Sequence, residues 1–237
     1  MAAAFGWGAL AASALLVGAL VAWHLDPGRR VLAAMMALGA GLLIGSVSFG
    51  LVDEALRTRT VAAVGVLVMA GAAVFAAGDW LLRGGERTDS AGARADGSAL
   101  AIVLGSVLDG IPESFVLGLT VRQGAVSVSL LVGVVLSNLP EGMSASSGLR
   151  AAGWPERRIV LMWSAVVAAS ALSAAAGFLL LDPAAGRSGA LMQAFAAGAL
   201  LAMLADTLLP EAYAVEGVLT GPLVVAGFAV SLALSAI

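Results

Sequence analysis

Residues 104–119, LGSVLDGIPESFVLGL, place two carboxylates in the middle of an otherwise apolar run. The chain has a mean hydropathy of +1.03, which predicts that this run lies inside a bilayer. A carboxylate there costs at least ~2.5 kcal/mol by insertion scales. The four-residue spacing of Asp109 and Glu113 puts both on one face of a helix, and like charges so close repel unless a proton or a cation separates them. The stretch therefore predicts a cation site at mid-membrane.

Pro112 lies between these two acids. Proline has no N–H, and its ring clashes with the carbonyl group of Leu108 one turn earlier, so backbone oxygens are released beside the carboxylates. Membrane helices keep such breaks mainly where the released groups line a cavity. The proline thus favours a cavity beside Asp109 and Glu113.

The composition extends the membrane prediction to the whole chain. Of its 237 residues, 61% are hydrophobic and 11% are charged, unlike a soluble domain. Because about 20 apolar residues cross the hydrocarbon core, the length allows about eight crossings. The chain has no cysteine, which excludes disulfides and thiolate metal ligands. We therefore expect one all-α integral membrane domain over residues 1–237.

The apolar runs predict transmembrane helices over about 4–23, 31–52, 60–82, 99–121, 125–149, 159–181, 189–213 and 218–237. Arginines are concentrated in the first, third and fifth connections, which hold Arg29, Arg30, Arg83, Arg87, Arg94, Arg150, Arg157 and Arg158. The second, fourth and sixth hold Arg57, Arg59, Arg122 and Arg187. By the positive-inside rule, the odd connections are cytoplasmic and both termini face outward, as expected in a bacterial-type plasma membrane.

The chain also resembles itself. Aligning GAGLLIGSVSFGLVDEA (39–55) with AAGALLAMLADTLLPEA (196–212) pairs Gly41 with Gly198 and Glu54 with Glu211. The two segments belong to predicted spans that cross in opposite directions. An inverted repeat of spans one to three and six to eight around a central pair is a common transporter plan.

The fifth predicted span repeats the motif of the fourth. SNLPEG (137–142) overlays DGIPES (109–114), so that Pro140 matches Pro112 and Glu141 matches Glu113. Carboxylates from two neighbouring helices suit a doubly charged ion, and an amide adds a neutral oxygen. The predicted metal ligands are Asp109, Glu113, Glu141 and Asn138. The alternative is that the acids are protonated and only bond neighbouring helices.

Other polar residues have weaker interpretations. Four acids are possible members of an ion path or solvated helix ends: Asp206, Glu211, Asp53 and Glu54. Asp79, at a span end, is interpreted as solvated, and His24 as an interfacial residue. Four serines offer hydroxyl groups, although serine in a membrane helix more often bonds a backbone carbonyl: Ser46, Ser48, Ser106 and Ser137.

With these motifs in place, the chain resembles the ZIP (zinc and iron transporter-like) family of divalent metal transporters. The resemblance is carried by DGIPES, by SNLPEG and by FAAGALLAMLADTLLPEAY (195–213). It implies eight helices in a 3+2+3 arrangement with inverted outer repeats, both termini outside, and a divalent metal ion as substrate, with zinc the default. It carries over three ligands, Asp109, Glu113 and Glu141.

The chain departs from the family pattern at several positions. The family's fourth-span motif usually begins with His and Asn, where this chain has Asp109 and Gly110, and its fifth often begins with His or Gln, where this chain has Ser137. The sixth span, where some members place an acid, offers only Ser164, Ser170 and Ser173. Loss of imidazole leaves an oxygen-rich set that also tolerates manganese or iron(II).

These features predict a secondary transporter that moves a divalent cation toward the cytoplasm. The alternative within the family is a metal-binding sensor or scaffold that does not transport. The chain has no His-Glu-x-x-His, no Gly-x-Gly-Asp and a single histidine, so we expect no enzyme. The expected partners are the metal ion and the lipid bilayer, not nucleic acid, and helices rich in small residues are compatible with a homodimer.

Overall fold

The computed structural model describes residues 1–25, 28–82, 99–122, 124, 126–180 and 187–235. These residues form helices and turns, with no strand among them. The first helices in chain order are α1 (Ala2–Val21), α2 (Arg29–Thr58), α3 (Val61–Leu82), α4 (Ala99–Arg122), α5 (Val128–Ala151) and α6 (Glu156–Leu180). They are followed by α7 (Arg187–Met203, continuing through Leu204–Leu208 and Leu209–Glu216) and α8 (Thr220–Ser235). The predicted arginine-rich connection over 83–98 lies outside the described residues.

Long apolar helices dominate the fold. Among the described residues, six are long and apolar enough to cross a membrane: Ala2–Val21, Arg29–Thr58, Val61–Leu81, Val128–Ala151, Glu156–Leu180 and Gly189–Ser235. The last one covers the predicted seventh and eighth spans, whereas the predicted fourth span is not among the six. The all-helical fold is therefore confirmed, and the apolar helices are compatible with an integral membrane protein.

Helix α2 is longer than the sequence predicted. Residues 53–59 were expected in a connection, but Asp53–Thr58 continues the helix. Arg57 pairs with Asp53 at 3.2 Å and with Glu54 at 3.4 Å, one helical turn away. Such i,i+3 and i,i+4 pairs stabilise an exposed helix end, which the hydropathy pattern alone does not reveal.

Among the residues that the structure describes, two helices contain π-helical turns, Val47–Val52 in α2 and Leu204–Leu208 in α7. Both begin at equivalent positions of the aligned segments 39–55 and 196–212, because residue 47 is paired with residue 204. A π turn bonds residue i to i+5 and occurs frequently at functional sites. The two segments that resemble each other in sequence thus share an uncommon backbone feature.

Helices α2 and α8 touch backbone to backbone through glycines. A Cβ atom at Gly41 would collide with the carbonyl oxygen of Val224, and one at Gly227 would collide with that of Leu38. Small residues permit this close approach between membrane helices. The contact holds α8 firmly against α2.

The same reciprocal contact occurs between α3 and α7. A Cβ atom at Gly71 would collide with the carbonyl oxygen of Phe195, and one at Gly198 would collide with that of Val68. Gly198 is the residue that the internal alignment pairs with Gly41. Helix α7 therefore packs against α3 in the same way as α2 packs against α8.

Helices α4 and α5 are held from several sides. Backbone contacts at glycines join α5 to α1 and α4 to α6, at Gly142 with Leu15, Gly18 with Leu139, Gly118 with Ala174, and Gly177 with Phe115. The largest buried apolar cluster includes Leu43 of α2, Leu117 of α4, Val134 of α5 and Leu200 of α7. The two helices that carry the Pro-Glu motifs thus contribute to the centre of the fold.

Candidate functional site

Two glutamates lie almost completely buried in helices that carry a proline directly before them. Glu113 of α4 is 1% exposed and Glu141 of α5 is 4% exposed. Their prolines, Pro112 and Pro140, lie inside helices that continue on both sides. Burying a carboxylate is costly unless it is paired, protonated or bound to a cation. These two residues are therefore the strongest functional candidates among the described side chains.

Asn138 lies one turn before Glu141 and is 2% exposed. Its Nδ2 donates a hydrogen bond of 3.4 Å to the carbonyl oxygen of Ala11 in α1. This bond uses one of the two protons of the amide nitrogen. Because an amide oxygen can still coordinate a cation, the predicted ligand role of Asn138 is chemically open.

Two members of the predicted ligand set, Glu113 and Glu141, lie in helices that contact each other. Helices α4 and α5 pack against each other, and both glutamates are buried in them. The side chain of Asp109 lies outside the described residues. Among the side chains that are described, no group of three or more His, Cys, Asp or Glu residues could hold a metal ion. Convergence of the three predicted carboxylates on one ion therefore stays a prediction.

Helix α4 carries a stripe of polar residues at seven-residue spacing. Ser106, Glu113 and Thr120 are 1%, 1% and 7% exposed. Seven residues are close to two helical turns, so these side chains lie on nearly one line along the helix. The hydroxyl of Ser106 has no hydrogen-bond partner in the described part of the chain, and an unsatisfied buried donor costs about 1–3 kcal/mol.

Helix α6 supplies two hydroxyl groups near Pro112. Ser173 donates a hydrogen bond of 2.8 Å to the carbonyl oxygen of Ile111. Ser170 is 1% exposed, and its Oγ would lie 3.3 Å from a Cβ atom placed at Gly110. The absence of a side chain at Gly110 thus leaves room for a hydroxyl of α6. The sequence identified these serines as the polar residues of the sixth span, but could not tell which of them face α4.

Asp206 lies at a pocket of about 350 Å³ between α3 and α7. Asp206 itself is exposed, whereas Asp79, across the pocket, is 8% exposed. The interpretation of Asp79 as a solvated residue is therefore wrong. A hydropathy pattern does not indicate the burial of this side chain.

The other acids proposed for an ion path lie at less enclosed positions. Asp53 and Glu54 form surface ion pairs with Arg57, with side-chain exposures of 56% and 46%. Glu211 is half-buried in the last part of α7. The role of Asp53 and Glu54 in an ion path stays a prediction.

The remaining serines bond backbone carbonyl oxygens of their own helices, as predicted. Ser46 and Ser48 donate to carbonyl oxygens four residues earlier, at 2.9 and 2.8 Å, and Ser137 donates to one three residues earlier, at 3.0 Å. Ser46 is also 2.7 Å from the hydroxyl of Ser129, which links α2 to α5. Sequence reasoning missed this link, because a serine pair distant in the chain has no local signal.

Compared with models of known protein families and with curated proteins, the chain matches none.

Proposed function

We propose that this chain is a secondary transporter of ZIP type that moves a divalent metal cation toward the cytoplasm. The observation that carries the proposal is the near-complete burial of Glu113 and Glu141, each directly after a proline, in two helices that pack together. Zinc is the default substrate by resemblance. An oxygen-rich ligand set also accommodates manganese or iron(II).

The charges favour a doubly charged ion. Two carboxylates from α4 and α5 match a 2+ charge, and Asp109 would add a third carboxylate one turn from Glu113. The amide oxygen of Asn138 is the neutral ligand of the proposed set. Protons and metal compete for the same oxygens, so the site is occupied by either protons or a cation.

The proposed architecture is a 3+2+3 arrangement, with α4 and α5 between two inverted repeats. It is supported by the matched π turns of α2 and α7 and by the reciprocal glycine contacts of α2 with α8 and of α3 with α7. The arginine distribution supports an orientation with both termini outside. Motion of one helix group against the other would give alternating access.

In this orientation, the pocket with Asp79 and Asp206 lies toward the cytoplasmic ends of α3 and α7, where an ion leaving the site would meet carboxylates. The chain has no nucleotide-binding loop, so the energy comes from gradients and the membrane potential. Two charges moving inward across 100 mV gain about 4.6 kcal/mol. This is enough for roughly a thousandfold accumulation.

The test is uptake of Zn²⁺ and Mn²⁺ into proteoliposomes by the wild type, Glu113→Gln and Glu141→Gln. The matched control is Glu156→Gln, since Glu156 is an exposed glutamate at the start of α6. We expect both buried substitutions to abolish uptake and the control to retain it. Wild-type uptake in both buried variants would overturn the transporter assignment. Calorimetric binding without uptake in the wild type would instead identify a sensor or scaffold.

A further inference from the structure

Ser106 differs from most buried hydroxyl groups of the described helices. It is 1% exposed, and its Oγ has no hydrogen-bond partner in the described part of the chain. A hydroxyl in a membrane helix usually bonds the carbonyl oxygen three or four residues earlier. Ser46, Ser137 and Thr120 all do so, with Thr120 donating to Leu117 at 2.8 Å. Ser106 is thus a buried polar group whose hydrogen-bonding capacity is unused.

The position of Ser106 relates this unused hydroxyl to the proposed metal site. Ser106 precedes Asp109 by three residues and Glu113 by seven, within the continuous helix α4. At 3.6 residues per turn, Ser106 and Glu113 lie within about 20° of one another around the helix and about 10.5 Å apart along it. One ion cannot easily touch both side chains across that distance. The Ser106 hydroxyl therefore lies about two helical turns from Glu113 along the polar stripe, toward the cytoplasm in the proposed orientation.

We propose that the Ser106 hydroxyl is an oxygen ligand for the divalent cation at a second position, which the ion occupies between the buried glutamates and the cytoplasm. This inference rests on the proposed function and adds a specificity-determining residue to it. A hydroxyl is a neutral, hard ligand that replaces one water molecule of the ion without adding charge. A thiol at the same place is soft and favours zinc or cadmium over manganese.

The first experiment measures metal affinity, with Mn²⁺ as the probe, for the wild type, Ser106→Ala and Ser231→Ala. Ser231 is the matched control, because it is also fully buried and its Oγ also lacks a partner among the described residues, but it belongs to α8. We expect Ser106→Ala to weaken Mn²⁺ binding roughly five- to tenfold, the effect of losing one polar contact. Ser231→Ala should bind Mn²⁺ as the wild type does. A structural role alone would change thermal stability in both variants and Mn²⁺ affinity in neither.

The second experiment uses the absence of native cysteine. The Ser106→Cys variant carries a single thiol in the chain, and its rate of modification by a small cationic thiosulfonate reagent is measured with and without Mn²⁺. We expect Mn²⁺ to slow the modification and Glu113→Gln, added to the variant, to remove this protection. The uptake ratio of Cd²⁺ to Mn²⁺ should rise in Ser106→Cys, since the ligand has become softer.

The outcomes separate the two proposals. If the wild type transports metal but the thiol is unreactive, or reacts at the same rate with and without Mn²⁺, the Ser106 assignment is overturned and the transporter assignment stands. Unchanged Mn²⁺ affinity in Ser106→Ala overturns it equally. If the wild type neither binds nor transports Zn²⁺ or Mn²⁺, the proposed function fails, and the role of Ser106 fails with it.

Discussion

Ser173 of α6 donates a hydrogen bond of 2.8 Å to the carbonyl oxygen of Ile111, the residue directly before Pro112 in α4. The N–H that Pro112 lacks would bond the carbonyl oxygen of Leu108, one turn earlier, so the Ser173 hydroxyl does not replace that bond. Its bond to Ile111 is an additional bond between two helices, next to the proline. The bond thereby fixes α6 to the segment of α4 that carries Glu113.

We expect Ser173→Ala to destabilise the protein by about 0.5–1.5 kcal/mol, the usual net value of one hydrogen bond. The measurement is thermal unfolding in detergent micelles, followed by circular dichroism. Ser164→Ala is the control, because the exposed Ser164 bonds only Val160 of its own helix, at 2.8 Å. Equal melting temperatures for Ser173→Ala and Ser164→Ala would contradict a bracing role for the interhelical bond.

The contact between α5 and α1 leads to a second prediction. A Cβ atom at Gly142 would collide with the carbonyl oxygen of Leu15, whereas one at Gly65 would meet nothing within 4 Å. Gly142→Ala should therefore cost about 1–3 kcal/mol through overpacking. Gly65→Ala should change the unfolding free energy by less than about 1 kcal/mol. The same melting experiment compares the two variants, and a neutral Gly142→Ala would mean that α1 and α5 separate easily.

A third prediction concerns pH. If Glu113 and Glu141 bind the metal as carboxylates, protons compete for the same oxygens, so apparent metal affinity should fall as the pH falls. Replacing Glu113 by Gln removes one proton-binding group and should flatten this dependence in whatever binding remains. Isothermal titration calorimetry at several pH values, in buffers of different ionisation enthalpy, measures both affinity and proton release. Metal binding without proton release at acid pH would argue against buried carboxylates as ligands.

The hydroxyl pair of Ser46 and Ser129 gives a fourth prediction. Their 2.7 Å hydrogen bond joins α2 to α5. A double-mutant cycle with both serines changed to alanine should yield a coupling energy of about 0.6 kcal/mol, typical of interhelical bonds in a membrane protein. Chemical denaturation in mixed micelles provides the four unfolding free energies. Additive effects of the two substitutions would mean that the hydroxyls contribute independently.

Much of the fold could be predicted from the sequence, because apolar length and proline position act locally. The helix bounds follow the predicted spans closely, and burial of Glu113 and Glu141 agrees with their position inside apolar runs. The continuation of α2 through Asp53–Thr58 was missed, since its residues are mostly polar and hydropathy does not indicate a helix there.

The rest depended on contacts between distant parts of the chain. Asp79 looked like a solvated helix end in the sequence, but it is buried beside the pocket between α3 and α7. In the sequence, Ser106 looks like any other serine of a membrane helix. Only the structure shows that its hydroxyl has no hydrogen-bond partner in the described part of the chain, unlike that of Ser46. Neither property is encoded in spacing, because both depend on which helix lies next to the residue.

The π turns of α2 and α7 have a consequence for insertions and deletions. Each such turn holds one residue more than an α-helical turn. Removal of a single residue within Val47–Val52 could be absorbed by conversion to regular helix, so that Gly41 and the segment after the turn keep their neighbours. The same deletion within α3 would rotate everything beyond it by about 100° and turn Gly71 away from Phe195. Length variation among relatives of this chain should therefore be tolerated at the π turns and excluded from α3.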